Sequence, residues 1–68
     1  MTESYAHVSV TLVRLLPKSV LVRTADGDEV FVARSCIHGA DERTLDRVAE
    51  ESDVEFRVFA WLAEKEGL

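Results

Sequence analysis

Residues 18–34 carry the sequence KSVLVRTADGDEVFVAR, in which two runs of alternating apolar and polar residues flank an Asp-Gly pair. Val20 and Val22 in the first run, and Val30 and Val32 in the second, recur at the period of two that places side chains on one face of a strand. Asp-Gly between two such runs is typical of a tight turn, because glycine readily adopts a positive φ. The stretch therefore predicts an antiparallel β-hairpin.

The sequence on either side of this hairpin predicts two further strands. Upstream, residues 8–16 are rich in β-branched side chains, and Pro17 ends the run because proline has no N–H to donate to a sheet. The expected core positions of this strand are Val8, Val10, Leu12 and Leu16. Downstream, residues 54–60 alternate again and predict the fourth strand.

Two segments change to a helical period. Residues 41–49 predict a short helix, with Asp41 as its N-cap and an apolar stripe at Leu45, Val48 and Ala49. Residues 61–68 predict a second helical segment that ends at Gly67.

The order of elements is therefore βββαβα. It indicates a mainly β member of the α+β class, a four-stranded antiparallel curled sheet or small open barrel of the OB or SH3 kind. An OB barrel normally has five strands, so that name is only an analogy.

Length and composition indicate one domain over residues 1–68, with residues 1–7 expected as a loosely ordered N-terminal tail. The apolar share of 47% is typical of a globular chain, and no apolar run reaches the 18 or more residues of a membrane helix. The N-terminus lacks the basic and apolar regions of a signal peptide, and Cys36, the single cysteine, cannot form an internal disulfide. We therefore expect a cytoplasmic protein without a membrane segment.

The acidity of the chain is concentrated in its second part. Residues 1–40 contain four acidic and four basic residues, so the net charge of −5 belongs to residues 41–68. Nucleic-acid backbones attract clustered lysines and arginines, and the sequence has no such cluster. Binding to nucleic acid is therefore disfavoured.

Three stretches resemble a group of short, uncharacterised bacterial and phage proteins. They are KSVLV at residues 18–22, DEVFVARSCI at residues 28–37 and WLAEKEGL at residues 61–68. The group's pattern runs K-[AS]-V-L-V, then E-E-V-W-[IV]-P-K-S-x-I, then W-L-A-E-K-x-G-L. Here Phe31 stands in place of the usual Trp, and Ala33-Arg34 replaces Pro-Lys. The resemblance implies a phage or prophage accessory protein and assigns no activity.

Aromatic residues provide the first candidate site. Phe31, Phe59 and Trp61 occupy the face opposite the predicted core, where a sheet with one buried face should be polar. Either the terminal helix covers them, or they anchor a second copy of the chain or another protein. Small barrels also stack single-stranded bases on aromatics, but the basic groove that normally accompanies this is missing. We expect a non-enzymatic protein-binding module, with a homodimer as one form of it.

Acidic residues provide the alternative candidate site. They recur at roughly helical spacing and are Glu42, Asp46, Glu50, Glu51 and Asp53. Such a stripe could imitate a phosphate backbone and inhibit a protein that handles DNA or RNA. It could equally be a solvated helix face, because Arg43 and Arg47 interrupt it.

Catalytic and metal-binding constellations are weak in this sequence. Cys36 and His38 could supply two zinc ligands, but a structural site needs four, and His7 is the only other strong candidate. Cys36, His38 and Asp41 could be written as a catalytic triad, yet triads are recognised by geometry, and residues two apart on a strand-like segment need not face each other. The carboxylates of residues 26–29 fit a solvated turn better than a calcium loop. We therefore predict no enzyme activity, no cofactor and no metal.

Overall fold

Four strands and two α-helices make up the fold in the computed structural model, which describes residues 4–68. The three sequential strands are β1 (Tyr5–Leu15), β2 (Ser19–Arg23) and β3 (Glu29–Ala33). A 3₁₀ turn (Arg34–Cys36) leads to α1 (Gly39–Leu45), and then come β4 (Ser52–Phe59) and α2 (Ala60–Glu66). The predicted class, mainly β α+β with a four-stranded antiparallel open sheet in the order βββαβα, is confirmed.

The hairpin between β2 and β3 forms where the Asp-Gly pair predicted it. The N–H of Thr24 donates to the carbonyl of Asp28 at 2.8 Å, and that of Gly27 donates to the carbonyl of Thr24 at 2.9 Å. Gly27 has a φ of 92°. This left-handed conformation is one that residues with a Cβ rarely adopt, which explains the glycine.

The strands lie in the order β3-β2-β1-β4, and every neighbouring pair is antiparallel. The long strand β1 pairs with β4 over residues 5–12 and with β2 over residues 11–15. The register shifts between Leu12 and Arg14, which leaves Val13 as an extra residue. A β-bulge of this kind increases the local twist, so β1 can bend from one partner to the other.

Because of this bulge, Leu15 and Leu16 do not lie where the sequence predicted them. Leu15 was not among the expected core positions, but it pairs with Val20 and packs against the core. Leu16, which was expected on the core face, lies beyond the end of β1. Positions before the bulge follow the prediction, because Val8, Val10 and Leu12 are all buried.

The hydrophobic core lies between the inner face of the sheet and the two helices. Each helix contributes few buried side chains: Leu45 from α1, and Leu62 and Ala63 from α2. The sheet and its flanking turn supply the other buried residues, which are Val8, Val10, Leu12, Val20, Val22, Val32, Ile37, Phe56 and Val58. α2 ends at Gly67 as predicted, with a φ of 70°.

Two predicted boundaries differ from the structure. β1 begins at Tyr5, so residues 5–7, expected in a loose tail, pair with β4 instead; the rest of the expected tail up to residue 3 lies outside the described residues. α1 begins at Gly39 behind a different cap, His38, whose Nδ1 accepts from the N–H of Ala40 at 3.3 Å. It ends at Leu45, so most of the acidic stretch lies in a turn and in β4.

Within residues 4–68, neither helix has the length and apolarity that crossing a membrane would require.

Candidate functional site

Three aromatic side chains form a continuous stack at one end of the sheet, which we call the aromatic cluster (Tyr5, Phe59 and Trp61). The ring centroids of Tyr5 and Phe59 lie 5.4 Å apart, and those of Phe59 and Trp61 lie 6.1 Å apart. Tyr5 and Phe59 are cross-strand partners at the start of β1 and the end of β4, and Trp61 follows in the first turn of α2. Such separations are typical of favourable aromatic pairs, so the cluster is pre-assembled.

The aromatic cluster is open to solvent. Trp61 is 50% exposed and Tyr5 is 43% exposed, while Phe59 is half-buried between them. The terminal helix therefore does not cover the aromatics. It turns Leu62 and Ala63 into the core and carries Trp61 on its exposed side.

Contacts along the outer edge of β4 hold this end of the sheet together. Ile37 forms an antiparallel bridge with Val58, and the N–H of His38 donates to the carbonyl of Arg57 at 2.8 Å. The ring of His38 then packs edge-on against Tyr5, with centroids 5.1 Å apart. The segment before α1 therefore supports the cluster from the side.

Asp41 completes the cover of the β4 edge. Its carboxylate accepts the backbone N–H of Arg57 at 2.8 Å and two guanidinium N–H groups of the same residue at 2.9 and 3.1 Å. The hydrogen bonds from the Arg57 side chain are the main reason why the pKa of Asp41 lies below its usual 3.8. Asp41 thus fixes the position of α1 against β4 and neutralises Arg57, which lies two residues before Phe59 on β4.

Two carboxylates follow the cluster on the outer face of β4, and we call them the acidic pair (Asp53 and Glu55). The hydroxyl of Ser9 donates to Glu55 at 3.0 Å, and that of Thr11 donates to Asp53 at 3.2 Å. These neutral donors orient the carboxylates without cancelling their charge. Among the described residues, no lysine or arginine forms an ion pair with either one.

The acidic pair borders a shallow depression of about 800 Å³ on the outer face of the sheet. Ser9 and Thr11 of β1 form its floor, and the segment from Arg23 to Ala25 forms the opposite wall. Arg23 does not neutralise the acidic pair, because its guanidinium binds Glu29 and Glu51 at 3.3 and 3.1 Å. The depression therefore has one acidic wall.

Phe31 lies away from the other two predicted aromatics. It pairs with Leu21 of β2, which in turn pairs with Arg14 of β1. Arg14 is nine residues from Tyr5 along β1, a distance of about 30 Å at the usual strand rise. Phe31 is 64% exposed, so it forms a second apolar surface rather than part of the cluster.

The predicted acidic stripe is not one continuous helix face. Glu42 and Asp46 both bind Nη1 of Arg34 at 2.9 Å, and Glu51 binds Arg23 at 3.1 Å. The hydrogen bonds that Arg34 donates to Glu42 and then to Asp46 raise its pKa. Glu50 is exposed in the turn before β4, and Asp53 belongs to the sheet. Three of the five carboxylates are thus paired within the chain.

Two of the residues considered for metal binding and catalysis, His38 and Asp41, have structural partners. His38 caps α1 with its Nδ1, and the carboxylate of Asp41 binds Arg57 rather than His38. Cys36 is a half-buried free thiol. Within the part of the chain that is described, no group of three or more His, Cys, Asp or Glu side chains is arranged to hold a metal ion.

Tyr5 is the residue that sequence reasoning missed, because residues 1–7 were expected outside the sheet. Its one sequence signal is the alternation of the first strand, which can be extended upstream through His7 to Tyr5. No protein-family model matches the chain, and neither the curated proteins nor the solved structures contain a significant match.

Proposed function

We propose that this chain is a small non-catalytic protein-binding module whose aromatic cluster anchors an extended segment of another protein. The segment would carry a large apolar side chain and, four to six residues along, lysine or arginine. The observation that carries the proposal is the uncovered stack of Tyr5, Phe59 and Trp61 beside the acidic pair, with which no lysine or arginine of residues 4–68 forms an ion pair.

The aromatic cluster has the properties of a binding anchor. Aromatic residues are enriched at interface hot spots, and a pre-assembled stack loses little conformational freedom when a ligand covers it. Covering the exposed half of Trp61 would remove about 100 Å² from water, which corresponds to about 2.5 kcal/mol. Truncating this side chain should therefore weaken binding by roughly 10- to 100-fold.

The charges beside the cluster define the partner's chemistry. Arg57, two residues before Phe59, is neutralised by Asp41, whereas Glu55 and Asp53 precede Phe59 by four and six residues on the same face of β4. An extended ligand that runs antiparallel to β4 would pass over the cluster and then over these carboxylates. Because the whole chain carries a net charge of −5, a basic segment is also favoured at longer range.

The two alternative functions receive less support from the geometry. An imitation of a phosphate backbone requires unpaired carboxylates in a row, but Arg34 and Arg23 bind three of the five. Stacking of single-stranded bases normally needs a basic groove beside the aromatics, whereas the acidic pair lies next to the cluster on β4. A protein-binding role also agrees with the phage or prophage accessory function that the sequence resemblance implies.

Selection from a phage-displayed library of random linear peptides tests the proposal. We expect enriched peptides with a large apolar residue followed at four to six positions by lysine or arginine. Their affinity, measured through the fluorescence of Trp61, the single tryptophan, should fall as salt rises and should weaken for the double variant Asp53→Asn, Glu55→Gln. The matched control Glu50→Gln removes an exposed carboxylate outside this surface and should bind as the wild type does.

A second set of variants tests the anchor itself, with the peptide carrying the fluorescent label. Trp61→Ala should weaken binding by roughly 10- to 100-fold and Trp61→Phe by less, while Phe31→Ala at the far end should have no effect. Equal binding to wild type and Trp61→Ala, or enrichment of acidic peptides, would refute the proposal. If a labelled single-stranded oligonucleotide binds the wild type but not Trp61→Ala, the aromatic cluster binds nucleic acid by base stacking rather than a protein segment.

A further inference from the structure

The second apolar surface, at Phe31, coincides with an open edge of the sheet. β3 is the last strand in the order β3-β2-β1-β4. At its two ends, the N–H of Arg34 donates to Lys18 at 3.0 Å and that of Thr24 donates to Asp28 at 2.8 Å.

These two bonds fix which backbone groups of β3 are free. Antiparallel pairs alternate between residues that exchange hydrogen bonds and residues that do not. The pairs at the two ends of β3 are hydrogen-bonded, so the pairs that Val30 and Val32 form with β2, each two residues further along, are hydrogen-bonded as well. Glu29, Phe31 and Ala33 therefore direct their N–H and C=O groups away from β2, toward the open side, and all three residues are exposed.

The opposite edge of the sheet, at β4, is partly covered by other parts of the chain. On β4, the backbone of residues 57 and 58 is covered by Ile37, His38 and the carboxylate of Asp41. The rest of that strand presents the acidic pair, whose like charges oppose self-pairing. Exposed edges are usually protected by such covers, or by proline, charged side chains or a bulge. Among the five residues of β3, Glu29 is the one such feature, and Arg23 binds it at 3.3 Å.

We propose that the β3 edge pairs with the β3 edge of a second copy of this chain, antiparallel and with the two-fold axis at Phe31. In this register Phe31 lies opposite Phe31 of the second copy, Val30 opposite Val32, and Glu29 opposite Ala33. Each of the residues 29, 31 and 33 exchanges backbone hydrogen bonds with its counterpart. The two sheets then form one continuous sheet of eight strands.

The sequence of the strand favours a second copy as the partner. In residues 28–34, DEVFVAR, a valine flanks Phe31 on each side, and acids lie at one end and a base at the other. Antiparallel pairing brings Asp28 opposite Arg34 of the second copy, whereas parallel pairing would align like charges. Glu29 adds little charge to the interface, because Arg23 already binds it at 3.3 Å.

The cross-strand aromatic pair supplies apolar contact on the outer face. Phe31 is 64% exposed as a monomer, and Leu21 lies beside it on β2. Pairing two copies would cover part of both phenylalanines and the exposed part of Val30 on the opposite face. This inference does not rest on the proposed function, because the aromatic cluster lies about 30 Å away along the strands.

Analytical ultracentrifugation over a range of protein concentrations tests the proposal with a reciprocal pair of variants. The wild type should pass from 7.6 kDa to twice that mass as its concentration rises. Phe31→Lys and Phe31→Glu should each weaken self-association at least about tenfold, because like charges then face each other across the axis. Mixing the two variants should restore the dimer, since Lys then faces Glu.

Two controls show whether self-association is specific to the β3 edge. Circular dichroism should show that the Phe31 variants keep the wild-type fold, because this side chain lies outside the core. Trp61→Lys, at the other end of the sheet, should dimerise as the wild type does. The proposal is refuted if the wild type stays monomeric up to about 1 mM, if the Phe31 variants dimerise unchanged, or if mixing them restores nothing.

Discussion

Replacing Arg34 with methionine removes a junction between three parts of the fold while keeping most of the side chain's apolar stem. Nε of Arg34 donates to the carbonyl of Leu16 at 2.8 Å, just beyond the end of β1. Nη1 donates to Glu42 and Asp46, both at 2.9 Å, on α1 and just after it. Only 16% of the Arg34 side chain is exposed, so water cannot fully replace these partners in place.

The expected loss of stability is about 2–3 kcal/mol. A hydrogen bond that involves a charged group contributes about 1.5 kcal/mol, and the bonds to Leu16 and Glu42 are of this kind. The bond to Asp46 contributes only a few tenths of a kcal/mol, because that side chain is 60% exposed. For a domain of this size, the midpoint of thermal unfolding should fall by roughly 10–20 °C.

Urea unfolding followed by circular dichroism measures this difference. Arg34→Lys should lie between the wild type and Arg34→Met, because lysine keeps a charge but cannot reach all three acceptors at once. Arg47→Met is the matched control, since Arg47 is exposed and forms no ion pair within residues 4–68. A loss below about 0.5 kcal/mol for Arg34→Met, no larger than for the control, would contradict the role given to this junction.

Two further predictions concern the docking of α1. Asp41→Asn should destabilise the fold at neutral pH, and the gap in free energy of unfolding between this variant and the wild type should narrow in acid. The pKa of Asp41 is lowered from 3.8 in the folded chain. The stability that its carboxylate contributes is therefore complete above pH 3.8 and is lost as the pH falls through the folded pKa. Urea unfolding at a series of pH values would show this, and a gap independent of pH would exclude the ion pair with Arg57 as its cause. Leu45→Ala should cost about 3 kcal/mol, because Leu45 is 1% exposed and is the buried residue of α1. In the same assay Arg43→Ala, an exposed neighbour, should change stability by less than about 0.5 kcal/mol, and equal losses for the two variants would show that α1 does not dock through Leu45.

Local patterns were sufficient to predict the elements of this fold. The alternation around Asp26-Gly27 predicted the hairpin of β2 and β3, and Gly67 predicted the end of α2. The face of Leu15 could not be predicted, because apolar residues at positions 12, 13, 15 and 16 fit a regular strand and a bulged strand equally well. Only the pairing of β1 with two neighbours determines which one forms.

The candidate site was harder to predict than the fold, because it depends on strand order and long-range partners. Phe31 and Phe59 both occupy the outer face, but nothing local indicates that β3 and the end of β4 lie at opposite ends of the sheet. Asp41 has the residue type of an N-cap and instead binds Arg57, sixteen residues away. Tyr5 became part of the site only because β1 pairs with β4 up to its first residue.

We expect another protein to bind at the aromatic cluster and not at the β3 edge. Amide resonances of isotopically labelled protein, recorded during titration with the selected peptide, show which of these surfaces is bound. Saturable shift changes should appear at Tyr5, Glu55, Phe59 and Trp61, with Phe31 and its neighbours on β3 unchanged. Changes centred on β3 or on α1, or changes that do not saturate, would contradict it.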